Sequence, residues 1–110
     1  MRNSPNINYT ELTASHYPAI NTAAVVTIAA GADDRWVLDR IWYSYDTTPT
    51  GGSLVVSFGG VTKLSLAIPA AGEGELLLDG FHNLTKNEAV VVTLASGGAG
   101  AIGKLTVKYR

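Results

Sequence analysis

Two histidines, His16 and His82, and three acidic groups, Asp33-Asp34, Asp46 and Glu73 with Glu75, are the side chains best suited to acid–base or metal chemistry in this chain. Neither histidine sits in an HxH or HExxH spacing, and with no cysteine there is no thiolate ligand, so no metal centre is expected. The acids can hold calcium, or share acid and base roles at a glycosidic bond if the fold sets two of them about 5 to 9.5 Å apart. Each lies in or beside a glycine-rich turn, where solvated Asp and Glu are ordinary, so a turn role is expected instead. No GxSxG motif is present. Gly97-Gly98-Ala99-Gly100 falls between two strand-like runs, whereas phosphate cradling relies on a helix N-terminus, so it reads as a hairpin loop. No catalytic residue and no cofactor are expected, and the chain is not read as an enzyme.

The aromatic residues offer a different chemistry. Trp36, Trp42, Tyr43 and Tyr45 all fall within ten positions of the run RWVLDRIWYSYDTTPTGGSLVVSFGG from Arg35 to Gly60. Trp42, Tyr43 and Tyr45 can stack on sugar rings or anchor a protein interface, as well as pack in a core. Strict strand alternation puts Trp36, Leu38, Arg40 and Trp42 on one side and Val37, Asp39, Ile41, Tyr43 and Tyr45 on the other. The strand then reads as apolar on both sides and demands two covers.

The elements that position these residues are strands. Val25 to Ala30, Arg35 to Asp46, Ser53 to Phe58, Val61 to Ile68, Glu75 to Asp79, Glu88 to Ala95 and Ile102 to Tyr109 carry β-branched or alternating patterns between Gly, Pro, Asn and Asp turns. Thr48-Pro49-Thr50-Gly51-Gly52 reads as a tight return joining the second and third into an antiparallel pair, and the last two read as another hairpin. The connection from Gly80 to Asn87 is long enough to cross between sheets. No window of eleven residues carries a 3.6-period apolar stripe, so the fold class is all-β, an antiparallel β-sandwich of seven or eight short strands. Residues 1–20, with Pro5, Pro18 and scattered Ile7, Tyr9, Leu12 and Tyr17, read as an extended arm, with a frayed terminus or an edge strand as the alternatives, ahead of a single domain over 21–110.

At 110 residues the chain is one domain with a core large enough to need no staple. Eight basic against nine acidic residues leave a net charge of -1, which gives no field to draw in nucleic acid. Residues 1–20 lack the apolar run of a signal peptide, and no stretch of about 18 apolar residues is present to span a bilayer, so no membrane partner is expected. Asn8-Tyr9-Thr10 and Asn83-Leu84-Thr85 match the glycosylation sequon, a weak motif without a secretory signal.

Over residues 21–110, the succession VVTIAAGADDRWVLDRIWYSY, TPTGGSLVVSFGG and AVVVTLASGGAGAIGKLTVKYR resembles the small jelly-roll cement, or decoration, proteins of tailed, short-tailed bacteriophages. The resemblance lies in length, strand rhythm and turn wording, not in one motif. It implies a jelly roll on the outer capsid surface of the virion, binding the major capsid protein and itself as a homodimer or homotrimer, with no catalytic residues. The partner-binding candidates are then Ile7, Tyr9, Leu12 and Tyr17 of the arm with Trp42, Tyr43 and Tyr45. The alternative is a carbohydrate- or receptor-binding sandwich of a phage fibre or accessory protein, with Trp42, Tyr43 or Tyr45 exposed in a groove.

Overall fold

The structure, a computed structural model, describes residues 12–31, 35–82, 86–98 and 100–110. Ile7, Tyr9, Asp33, Asp34 and both sequons involve residues outside these. Eight strands form: β1 (Leu12–His16), β2 (Ala24–Ile28), β3 (Val37–Tyr45), β4 (Ser53–Phe58), β5 (Val61–Ala67), β6 (Gly72–His82), β7 (Val90–Leu94) and β8 (Gly103–Tyr109). They make two four-stranded antiparallel sheets, the first in order β1-β8-β3-β6 and the second in order β2-β7-β4-β5. The chain behaves as one long hairpin bent at β4–β5, in which β1 pairs β8, β2 pairs β7, β3 pairs β6 and β4 pairs β5. That ribbon is wrapped so that β3 also meets β8 and β4 also meets β7, which is the strand order of a jelly roll.

The second sheet forms because its strands alternate β-branched or leucine residues with small polar ones. Ala24, Val26 and Ile28, then Val90, Val92 and Leu94, then Leu54, Val56 and Phe58 turn inward, each at most 4% exposed. The first sheet answers with Leu38, Ile41, Leu105 and Val107, all fully buried. Each such side chain contributes roughly 1.5–3 kcal/mol of transfer free energy, so this inter-sheet layer dominates stability.

Two expected hairpins are overturned. Residues 46–52 carry the chain from β3 in the first sheet to β4 in the second, and residues 95–102 carry it from β7 back to β8. Both sides of β3 are already taken, by β6 and β8, so β4 has no edge of β3 left to pair with. The glycine run is a crossover and not a hairpin loop; β4–β5 is the hairpin within one sheet. Within the expected arm, residues 12–16 are an edge strand in register with β8, from Leu12 opposite Tyr109 to His16 opposite Leu105. The short strand expected over Glu75 to Asp79 extends to eleven residues.

The expected doubly apolar face of β3 is also corrected. A bulge between Leu38 and Arg40 inserts one residue into the pairing with β8. Asp39 takes the extra place, so Leu38 and Ile41 point the same way although three positions separate them. The core therefore receives Leu38, Ile41 and Tyr45, with Tyr43 packed against it, and the outside receives Arg40, Trp42 and Ser44. Trp36, just before β3, packs against the core with its ring edge-to-face on Tyr109 at 5.6 Å, and its indole N–H donates to the Ala29 carbonyl at 3.0 Å. Of the second cover once demanded, Trp42 alone remains to be explained.

Candidate docking surface

In an all-antiparallel ribbon the connections fall at alternating ends of the sandwich. Among the described residues, 17–23, 46–52, 68–71, 95–98 and 100–102 lie at one end, and 29–31, 35–36, 59–60 and 86–89 lie at the other with Arg110. The two ends differ sharply in charge. The first four connections, YPAINTA, DTTPTGG, IPAA and ASGGAGAI, contain one Asp, Glu, Lys or Arg, which is Asp46. At the other end the described connecting residues carry Arg35, Lys86 and Glu88, with Arg110 beside them, while Gly59-Gly60 carries no charge.

The uncharged end is held as a fixed platform, with residues 95–102 as its hub. The Asp46 and Ile102 backbones are joined by the Asp46 N–H donating to the Ile102 carbonyl at 3.1 Å, and the Ile102 N–H donates to the Asp46 carboxylate at 2.6 Å. The one acid at this end is thus spent on structure, as its turn position implied. Thr50 N–H donates to the Gly97 carbonyl at 2.7 Å, and Asn21 N–H donates to the Ala101 carbonyl at 3.1 Å. Asn21 returns the contact through its side-chain oxygen, which accepts from Gly100 N–H at 2.8 Å, and its backbone sits at φ 63°, a left-handed conformation that Asn tolerates. Ile68 N–H reaches the Gly52 carbonyl at 3.0 Å. All four connections are cross-bonded, while Tyr17 at 62% exposure and Ile20 at 49% stand out at the β1–β2 edge, and Pro69, Ala70 and Ala71 are exposed at the opposite, β5–β6 edge.

A second surface is the outer face of the first sheet. Its side chains fall into rows set by the pairing: Lys104, Ser44 and Glu73; then Ser15, Thr106, Trp42 and Glu75; then Thr13, Lys108, Arg40 and Leu77. Arg40 and Glu75 form an exposed ion pair at 3.4 Å, and Leu77 is 61% exposed. Tyr17 folds back over this face, its hydroxyl sharing a hydrogen bond with Thr106 at 3.1 Å and its ring lying 5.8 Å from the Lys104 ammonium. The Thr106 bond, then Ser15, then the Lys104 charge draw the Tyr17 phenol below its ordinary pKa of 10.0. Between Tyr17, Trp42, Ser44, Glu73, Lys104 and Thr106 runs a groove of about 280 Å³.

Of the candidates from the sequence, the structure brings Tyr17 and Trp42 together at this groove, with Tyr43 also contributing to its lining. Leu12 is a half-buried edge residue opposite Tyr109. Tyr43 lies on the inner side, over Gly74, where a Cβ would run into its ring. Tyr45 is core, 1% exposed, so it is no partner-binding residue. The second histidine aside, His16 is used locally, its Nδ1 accepting the Val25 N–H at 2.9 Å and tying β1 to β2 across the sandwich edge. Among the described residues no group of three or more His, Cys, Asp or Glu could hold a metal ion, and no helix is long and apolar enough to cross a membrane. The uncharged end escaped notice in the sequence because its four connections are far apart along the chain.

No protein-family model matches the chain, and comparison with curated proteins gives no match. A crystal structure of FLHE is similar over 92% of this chain and 96% of its own, at 17% identity and a TM-score of 0.42, a likeness too low to carry an argument.

Proposed function

We propose that the chain is a non-enzymatic structural protein of a phage virion, a cement protein that binds the outside of an icosahedral capsid and fastens neighbouring major capsid proteins. The observation that carries this reading is the rigid, uncharged end of the jelly roll. Interface cores are depleted of charged side chains, because each buried charge must be desolvated, and this end asks for almost no such desolvation. Its cross-bonded connections have little conformational freedom left to lose, which lowers the cost of binding. The strand order is the one that the resemblance to cement proteins implies, and Tyr17 and Ile20 supply apolar anchors at the rim.

The test is sedimentation of the protein with assembled empty heads. Ile20→Glu or Ala70→Arg, both exposed changes at the uncharged end, are expected to leave the fold intact and the protein in the supernatant. Val61→Lys, at the opposite end and 56% exposed, is expected to sediment like the wild type. Equal sedimentation of all three variants, or none by the wild type, refutes the reading.

The groove beside Trp42 favours a second reading, a carbohydrate-binding module. It sets the rings of Tyr17 and Trp42 among a carboxylate, an ammonium and the Ser44 and Thr106 hydroxyls, the mixture that stacks and hydrogen-bonds a sugar ring. Pelleting with insoluble glycan and not with heads would select it.

A further inference from the structure

The outer face of the first sheet is self-complementary, and we infer that it joins two copies of this chain about a two-fold axis running along β3. The rows on this face place lysine on β8 at one side of β3 and glutamate on β6 at the other, with Trp42 between them. A two-fold along β3, lying between two facing sheets, reverses left and right and keeps height along the strand. Lys104 then stands over Glu73 of the second copy, Thr106 over Glu75, Trp42 over Trp42, and Arg40 over Arg40, each arginine held by Glu75 of its own chain at 3.4 Å. Because such an interface is isologous, the Lys104–Glu73 pair occurs twice.

The alternative two-fold, perpendicular to the strands through Trp42, is worse on charge. It lays β8 on β8, bringing Lys104 toward Lys108 of the other copy twice and Glu75 onto Glu75 with no opposite pair in return, and like charges in an interface cost several kcal/mol. The half-buried Trp42, turned away from the core by the Asp39 bulge, gains a cover in the first arrangement. Three overlapping strands span a footprint of roughly 15 by 23 Å, well under the ~800 Å² per partner of a standard stable interface. The free dimer is accordingly weak.

The axis direction has a consequence for the proposed function, although the dimer stands without it. A two-fold parallel to the strands presents the same end of both copies, so two uncharged ends lie side by side and face one surface. Two linked weak contacts hold a lattice by effective concentration where one does not.

The test is sedimentation equilibrium of the full chain up to about 1 mM, with tryptophan emission followed in parallel. The wild type is expected to dimerise with a concentration-dependent change in emission that Trp42→Phe removes. Lys104→Glu and Glu73→Lys are each expected to weaken dimerisation tenfold or more, and the double variant K104E/E73K to restore it, because the swapped charges meet again across the axis. Circular dichroism confirms that each variant is folded. A monomer at the highest concentration overturns the inference, as does a dimer indifferent to the swap. Monomeric Lys104→Glu that still sediments with heads at raised concentration separates loss of the dimer from failure of the capsid reading.

Discussion

Tyr45 ties the two sheets together through one hydroxyl, and its removal gives a quantity that can be worked from the structure. The residue belongs to β3 of the first sheet, is 1% exposed, and donates to the Ala95 carbonyl just past β7 of the second at 2.6 Å. Its ring lies so close to Gly97 that a Cβ there would come within 3.0 Å of it. Tyr45→Phe keeps the ring and leaves the carbonyl without its donor, which costs about 1–2 kcal/mol. For a chain of this length that lowers Tm by roughly 4–8 °C. Tyr45→Ala removes the ring as well and costs about 3–5 kcal/mol. The pH dependence gives a sharper check. Burial raises the Tyr45 phenol above its ordinary pKa of 10.0, so the folded chain favours the neutral form. The unfolded chain ionises first as pH rises, so the stability carried by the neutral phenol is fully present below pH 10 and is lost as pH climbs through the folded value. In urea unfolding from about pH 7 to about pH 11, the advantage of the wild type over Tyr45→Phe is expected to shrink above pH 10. An advantage that stays constant or grows across that range refutes the assignment, and Tyr45→Phe as stable as the wild type at neutral pH refutes the hydrogen bond.

Gly74 is tied to Tyr43 in a similar way: Gly74→Val drives a side chain into the ring and is expected to cost about 1–3 kcal/mol, read as a lowered urea midpoint with unchanged slope. Tyr17 is expected to ionise below 10.0 in an absorbance titration, a step that Tyr17→Phe deletes and that Thr106→Val shifts upward. With its folded pKa depressed, its ionised form favours the fold above pH 10 and that contribution disappears as pH falls. Asp39→Ala, which removes the carboxylate receiving the Arg110 guanidinium at 3.1 Å, is expected to cost no more than about 1 kcal/mol because the pair is partly solvated.

What the sequence made legible was set by local rules. Seven of the strands follow from period-two patterns broken by Gly, Pro and Asn, and the structural use of Asp46 follows from its turn position. What stayed hidden depends on which strands are neighbours. Val90–Leu94 and Gly103–Tyr109 are separated by a glycine-rich run that would suit a hairpin, yet they lie in different sheets because each finds better partners far away in the chain. Pairing of Leu12 with Tyr109 closes almost the whole described chain, and no local signal announces such a contact. The bulge at Asp39 was invisible for another reason. Alternation is assumed to be unbroken when faces are assigned, and one extra residue exchanges the faces of everything before it relative to everything after. That single slip produced the doubly apolar strand.

Once the slip is corrected, the aromatic strand divides cleanly, and the division bears on function. Tyr43 and Tyr45 build the sandwich, whereas Trp42 is carried on a sheet face between β8 and β6, whose exposed charges have opposite sign. A face of that kind opposes random association, since most placements set like charge against like, and admits a two-fold placement along β3. The uncharged end has the opposite character. It carries few charges to be satisfied, so it suits a broad, flat partner whose contacts repeat, and it relies on a rigid hydrogen-bonded platform for its shape. The two surfaces meet at Tyr17, which stands at the rim of the uncharged end and folds its ring toward Lys104 on the sheet face. Disturbing Tyr17 is therefore expected to weaken both associations at once, whereas Ile20→Glu acts on the end alone and Glu73→Lys on the face alone. A Tyr17→Ala variant that lost only one of the two would show that they are not coupled through this residue.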